Sequence, residues 1–310
     1  MKMKRKNLAP VALFVYNRPD HVEETIKHLV NNSLASETDL FIFSDAAKSD
    51  KDIKSVKKVR KVITKIKGFK KINIIERETN NGLAKSIITG VGEIIKEYKK
   101  VIVLEDDILT SESFLTFMND CLDKYKDNFK IKSISGYNYP IKYPTQYKDD
   151  IYLSQRASSW GWATWENRWN EMRWDNEFYE KILNNKLVVS KIKKCCDDLY
   201  NMMLFQIDGR INSWAIKWVI MHIKNDQYSI FPSKSMGKNI GLDGSGVHKD
   251  STDKFKIEPN ILFSYNLPSN IKKIKNIIEL QRKFLKYSLK DRLYFGLYQV
   301  TRKLKKIVWK

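Results

Sequence analysis

The chain has 310 residues, 42% hydrophobic and 12% aromatic, enough for a large core and for one large domain or a domain with an appendage. It has no apolar run of about 18 residues, which excludes a conventional membrane-spanning helix. The net charge of +21 makes nucleic acid and anionic membranes candidate partners, although Lys, Asn and Ile are abundant throughout and part of that charge is compositional habit.

The N-terminus, Met1 to Lys6, is basic like a secretion signal, but the apolar run after it is too short for one. That run, Val11 to Tyr16, reads as a first strand. The turn Asn17-Arg18-Pro19-Asp20 precedes a helix whose apolar face is Val22, Ile26, Leu29 and Val30. Asp39 to Ser44 is a second strand ending at Asp45, and residues 50–67 form a very basic helix on the solvent side. Ile72 to Ile75 is a third strand. The turn signal Asn80-Asn81-Gly82 opens an amphipathic helix with Leu83, Ile87, Val91, Ile94, Ile95 and Tyr98 on one face.

The fourth strand, Val101 to Leu104, has four consecutive apolar residues and runs directly into Glu105-Asp106-Asp107. Ligands bind at strand ends in open α/β sheets. Adjacent carboxylates repel one another, so their clustering calls for a cation or a hydrogen-bonding ligand. A divalent ion carrying a diphosphate suits the site, because Mg²⁺ and Mn²⁺ take oxygen ligands. The plain alternative is a strand that ends in an acidic turn. Ser111, with Glu112 after it, caps the next helix, whose inward residues are Phe114, Met118, Cys121, Leu122 and Tyr125. Ser133 to Tyr137 is one more strand. The β-α-β-α order implies a mostly parallel sheet with right-handed crossovers. Neither a dinucleotide fingerprint nor a P-loop is present.

Beyond residue 137 the pattern loosens. Tyr139 to Tyr152 is a loop with two prolines. Trp162, Trp165 and Trp169 are spaced as one face of a buried helix, and Trp214 and Trp218 as another. Trp160 stands before Gly161, where an indole can wall a sugar-binding cleft. The segment from Lys238 to His248 is glycine-rich; its N–H groups suit a phosphate, and His248 suits a phosphate or a metal. By itself that segment reads as an ordinary surface loop. His21, His28 and His222 read as structural. Cys121, Cys195 and Cys196 have no metal-ligand spacing and fit minor packing roles in a reducing compartment.

Taken together, the ordered set Asn17-Arg18-Pro19, Ser44-Asp45, Glu105-Asp106-Asp107, Trp160-Gly161-Trp162 and the glycine-rich segment ending at His248 resembles a GT-A glycosyltransferase. The likeness is to the N-acetylglucosaminyltransferase I type and to bacterial surface-polysaccharide transferases, over roughly residues 8–250. It implies an α/β fold with a mostly parallel central sheet flanked by helices. Residues 1–265 would form the catalytic domain, 1–137 binding the nucleotide-sugar and 138–265 the acceptor, with 266–310 a basic helical tail. It also implies a nucleotide-sugar donor, usually UDP-linked, and a Mn²⁺ or Mg²⁺ ion. Asp107 matches the metal ligand, with His248 as its partner. Asp106 matches the ribose or donor-sugar contact and Asp45 the uracil contact. Arg18 lies near the nucleotide, with Asn17, Asn81, Trp160 and Gly161 completing the donor site. Glu105 falls beside the donor sugar. The family's catalytic base follows a Trp in a motif aligned near Trp214, where this chain has Ala215 and Ile216. Asp208 and Asp243 are the remaining candidates, with Asp208 preferred.

The expected reaction is attack of an acceptor hydroxyl on the anomeric carbon, inverting it, in the synthesis of a cell-surface polysaccharide from a glycan or lipid-linked acceptor. A sugar nucleotidyltransferase and a basic nucleic-acid-binding protein are the alternatives. The first lacks its glycine-rich phosphate loop here, and the second lacks any recognisable nucleic-acid motif. Residues 270–310 hold thirteen Lys and Arg and two acids, a net of +11, interleaved with Leu285, Leu289, Leu293, Leu297, Val300 and Leu304. Such a segment suits either an anchor on the inner leaflet of the plasma membrane or a helix docked on the domain. The expected location is the cytoplasm, with that membrane surface as a possible partner.

Overall fold

The computed structural model describes residues 7–145, 147–244, 252–260, 264–271 and 274–308. Its first half alternates strands and helices: β1 (Val11–Val15), α1 (Pro19–Val30), β2 (Asp39–Ser44), α2 (Asp50–Ile63), β3 (Lys71–Glu76), α3 (Gly82–Tyr98), β4 (Lys100–Glu105), β5 (Ile108–Thr110), α4 (Phe114–Lys124) and β6 (Ile131–Ser135). The second half holds β7 (Ile151–Ser154), β8 (Trp162–Trp165), α5 (Glu166–Trp169), α6 (Asn176–Leu183), α7 (Lys186–Cys195), α8 (Leu199–Ile207), α9 (Trp214–Lys224), β9 (Tyr228–Pro232) and β10 (Gly237–Asn239). Two helices follow, α10 (Lys275–Phe284) and α11 (Leu289–Val308).

Eight strands form one sheet in the order β3-β2-β1-β4-β8-β6-β9-β7. Neighbours from β3 to β4 are parallel, as are β6 and β9, whereas β8 runs against both β4 and β6 and β7 runs against β9. The expected α/β class, a mostly parallel sheet flanked by helices, is the one observed. Alternate residues of each strand serve opposite faces. Ala12, Phe14, Val101 and Val103 join a core with α3 and α9, while Val11, Leu13, Ile102 and Leu104 join another with α1 and α4. Both faces are covered, which is why the run from Val101 to Leu104 is apolar without alternation.

Several local expectations are corrected. Trp162 to Trp165 is a strand, not a helix, and sends Trp162 to one core and Trp165 to the other. The burial expected of them holds: Trp162, Trp169, Trp214 and Trp218 form one indole cluster, with Trp162 and Trp214 stacked at 4.9 Å. Ser111 does not cap α4; the helix starts after Ser113, and the amide of Leu115 donates to Asn32 Oδ1 at 2.9 Å from α1's C-terminal turn. Leu83 is half exposed, because its place in the first turn of α3 lies outside the core. The short antiparallel ribbon of β5 and β10 carries no sequence signal.

The C-terminal segment straps back over the body. Tyr265 donates to Asp120, Tyr125 to the carbonyl of Pro268, and Ser154 to Gln281. Ile277 of α10 is fully buried. The three cysteines are free, with Cys121 and Cys196 buried.

Candidate active site

The site forms where β4 ends. An antiparallel strand begins where its neighbour finishes, so the reversed β8 brings its preceding loop to the acidic end of β4. Val103 pairs with Trp162. Gly161, just before β8, packs against Leu104 near the end of β4. Gly161 has φ +70, and a Cβ there would lie 3.2 Å from Leu104 and from Phe114, so both the turn and the close approach require glycine.

Arg18, at the N-terminus of α1, donates through Nη2 to Asp106 and to Asp107 Oδ2, the latter at 2.9 Å. Asp106 and Asp107 are buried. The cluster is therefore neither turned outward nor closed by surface lysines; one partly buried guanidinium bridges it. Burial pushes the Asp106 carboxyl up to about 6, against the pull of Arg18 and with the repulsion of Asp107 added. Burial, then the charges of Asp107 and Asp106, raises Glu105 well above the ordinary carboxylate range, with Arg18 opposing. Glu105 is accordingly the acid in this cluster most disposed to carry a proton.

The β5–β10 ribbon closes the site from above. The amide of Ile240 donates to the carbonyl of Asp107 at 2.9 Å, and a Cβ on Gly241 would sit 2.1 Å from Asp107 Oδ2 and 2.7 Å from Arg18. Gly241 thus lets the backbone lie against the acid pair. Two residues on, Asp243 reaches His21 Nε2 at 3.3 Å, so His21 borders the site rather than serving only the helix. His248 lies outside the described residues.

Asp45, expected to contact uracil, is engaged by backbone amides. Its Oδ1 accepts from the amides of Ala46 and Asn81 at 3.0 and 2.9 Å, and its Oδ2 from Gly82 at 2.8 Å. It caps α3 from the end of β2, and Asn81 contributes its backbone to that cap. Asn17 donates to Asp52 Oδ1 at 2.9 Å, which ties the turn after β1 to the capping box of α2.

Asp208 lies at the C-terminus of α8, where Arg302 Nε donates to both its oxygens at 2.8 and 2.9 Å and Tyr298 donates a further bond. Asp208, the base preferred from the sequence, is thus engaged with α11. A carboxylate fastened to α11 by a guanidinium and a phenol is poorly disposed to take a proton. Of the two candidates, Asp243 is the one on the loop that covers the acid pair.

Trp160 stands edge-on to Tyr137 at 4.5 Å and to Phe255 at 5.6 Å. It forms part of a cleft of about 650 Å³ whose lining includes Arg156, Ser213, Phe255 and Tyr287. Arg156 is held by Asp198 at 2.7 Å. Residues 285–288 and Asp291, at the junction of α10 and α11, complete the wall.

Among the described residues no group of three or more His, Cys, Asp or Glu could by itself hold a metal ion. The donor set nevertheless fits Mn²⁺ or Mg²⁺. Such ions are commonly held by one or two carboxylates and completed by substrate phosphates. Asp107 Oδ1 and Asp106 Oδ2 accept no hydrogen bond from the described residues.

No protein-family model matches the sequence, and no curated protein matches it. Solved structures similar to this chain include S. aureus TarS residues 1–349, at 11% identity over 74% of this chain and 59% of that one, with a TM-score of 0.41. The mannosyltransferase PcManGT from Pyrobaculum calidifontis, in complex with GDP-Man and Mn²⁺, is 11% identical over 72% of this chain and 77% of that one, with a TM-score of 0.40. A UDP-glucose pyrophosphorylase complexed with UDP-glucose is 12% identical over 74% and 92%, with a TM-score of 0.37. The chain spans 59% of the TarS fragment. These are distant likenesses of fold.

Proposed function

We propose that the protein is a glycosyltransferase that moves a sugar from a nucleotide-sugar, UDP-linked, to a glycan or lipid-linked glycan. The observation that carries this reading is the buried Asp106–Asp107 pair, bridged by Arg18 and covered by Gly241; Trp160, whose carbonyl lies near Gly237 of the covering ribbon, lines a separate aromatic-walled cleft. Asp107 and Asp106 would hold Mn²⁺ or Mg²⁺, which as a Lewis acid offsets charge on a leaving diphosphate.

The chain's own groups divide the remaining work. Arg18 supplies a fixed positive charge at the acid pair, and the backbone at Gly241 gives a phosphate close access. Trp160 offers its indole to the apolar face of a sugar ring. Asp243, on the covering loop, is the carboxylate we assign to accept the proton of the acceptor hydroxyl. General-base help of this kind accelerates a reaction by about 10²–10⁴-fold. Direct attack opposite the leaving group inverts the anomeric carbon.

Asp107→Ala tests the reading. UDP with Mn²⁺ at about 100 times its Kd should stabilise the wild type by about 2.7 kcal/mol in thermal unfolding. The variant should stay folded by circular dichroism, lose that response and lose transfer. Retention of both would remove the assignment. Release of pyrophosphate from UTP and a sugar phosphate, without transfer from UDP-sugars, would establish a nucleotidyltransferase instead.

A further inference from the structure

Helix α11 has two unlike faces. One is fastened to the body. Phe205 of α8 packs edge-on against Tyr298 at 4.7 Å and tilted against Phe295 at 5.4 Å, Arg302 and Tyr298 bind Asp208, Gln299 bonds to Asn201, and Arg292 pairs with Asp197. The other face carries Leu289, Leu293, Leu297, Val300 and Leu304, which are 55–79% exposed. Steps of four, four, three and four residues align them in one stripe. At 1.5 Å per residue that stripe is about 22 Å long. Tyr294, 53% exposed, borders it. A contiguous apolar stripe on an otherwise polar surface marks an interaction site.

Charge selects the occupant. The segment 270–310 carries a net charge of +11, more than half of the chain's +21. Two copies meeting along this stripe would bring two such charges together. An anionic lipid surface buries the leucines and at once offsets the basic charge left after Arg292 and Arg302 have paired with Asp197 and Asp208, each near-surface basic residue contributing about 1 kcal/mol. Among the described residues no helix is long and apolar enough to cross a membrane, so the geometry is that of a helix lying in the interface.

We infer that the exposed face of α11 docks on an anionic lipid surface, with the five aliphatic side chains at the acyl boundary. The helix is a plate riveted to the body, so docking also fixes the body's orientation. Leu285 to Ser288, just before the helix, and Asp291 in its first turn form part of the cleft wall. Docking therefore brings that wall towards the lipid surface, and, on the reading proposed above, the acceptor is lipid-borne.

The test uses the whole chain and vesicles of phosphatidylcholine with or without phosphatidylglycerol. The wild type should cosediment only with the anionic vesicles and be released by salt. The Leu293→Glu/Leu297→Glu variant should keep the wild-type melting temperature and bind more than about tenfold more weakly. Binding unchanged in the variant would overturn the proposal. So would a lipid-free dimer in sedimentation equilibrium that the variant disperses, which would assign the stripe to a second copy. Neither measurement involves UDP, so failure here and failure of the glycosyltransferase reading are separate outcomes.

Discussion

His222 shows what burial does to a single titratable group. Its ring is fully buried on α9; Nδ1–H donates to the carbonyl of Trp218 at 2.8 Å, which leaves Nε2 to accept from Ser133 Oγ at 2.9 Å. Burial, with the nearby Lys132 charge adding to it and the Trp218 bond opposing, lowers its pKa to about 3. The folded value lies below the unfolded value near 6.5, so the unfolded chain binds the proton first. The stability this group contributes is complete above about pH 6.5 and is lost as the pH falls towards 3, at up to about 1.4 kcal/mol per pH unit. His222→Gln should flatten the dependence of unfolding free energy on pH in that window relative to the wild type, as measured by urea denaturation. The helical spacing marked His222 as structural, and it is. The same logic missed His21, whose partner Asp243 lies more than 200 residues away on a loop with no periodicity to place it. Gly241 was legible only as a member of a glycine-rich stretch. Its contact with Asp107 depends on a ribbon of two three-residue strands, too short for any pattern to register.

At the scale of elements, α8 and α11 meet through the Asp208–Arg302 pair, which is mostly shielded from solvent. Asp208→Asn should loosen α11, seen as faster limited proteolysis within it, while turnover on a soluble acceptor stays within about threefold of wild type. Loss of about 10²-fold or more would restore Asp208 as the base. The strands and helices up to β4 were legible because each has an apolar run or face of adequate length. The tryptophan strand was not. A four-residue strand buried on both sides has no alternation to show, and spacings of three and four residues imitate a helix. The cap of α4 was misplaced for a different reason: Asn32 supplies it from 83 residues away, where local capping signatures do not reach.

At the scale of the molecule, β8 and α9 are joined by indoles. Trp162 lies 4.9 Å from Trp214, 5.5 Å from Trp218 and 5.8 Å from Trp169, each distance between ring centres. Trp162→Ala should cost about 3–5 kcal/mol in chemical denaturation, the range for truncating a fully buried aromatic. The strap made by Tyr265, Pro268 and Gln281 has a consequence for biosynthesis. Its hydrogen bonds span 127 to 145 residues of sequence, and the cleft-wall residues Leu285 to Ser288 and Asp291 lie beyond it. Contacts so distant along the chain close late. A nascent polypeptide can lay down the first four strands and their acids early in translation. It acquires a complete cleft wall only once the ribosome has delivered the first turn of α11.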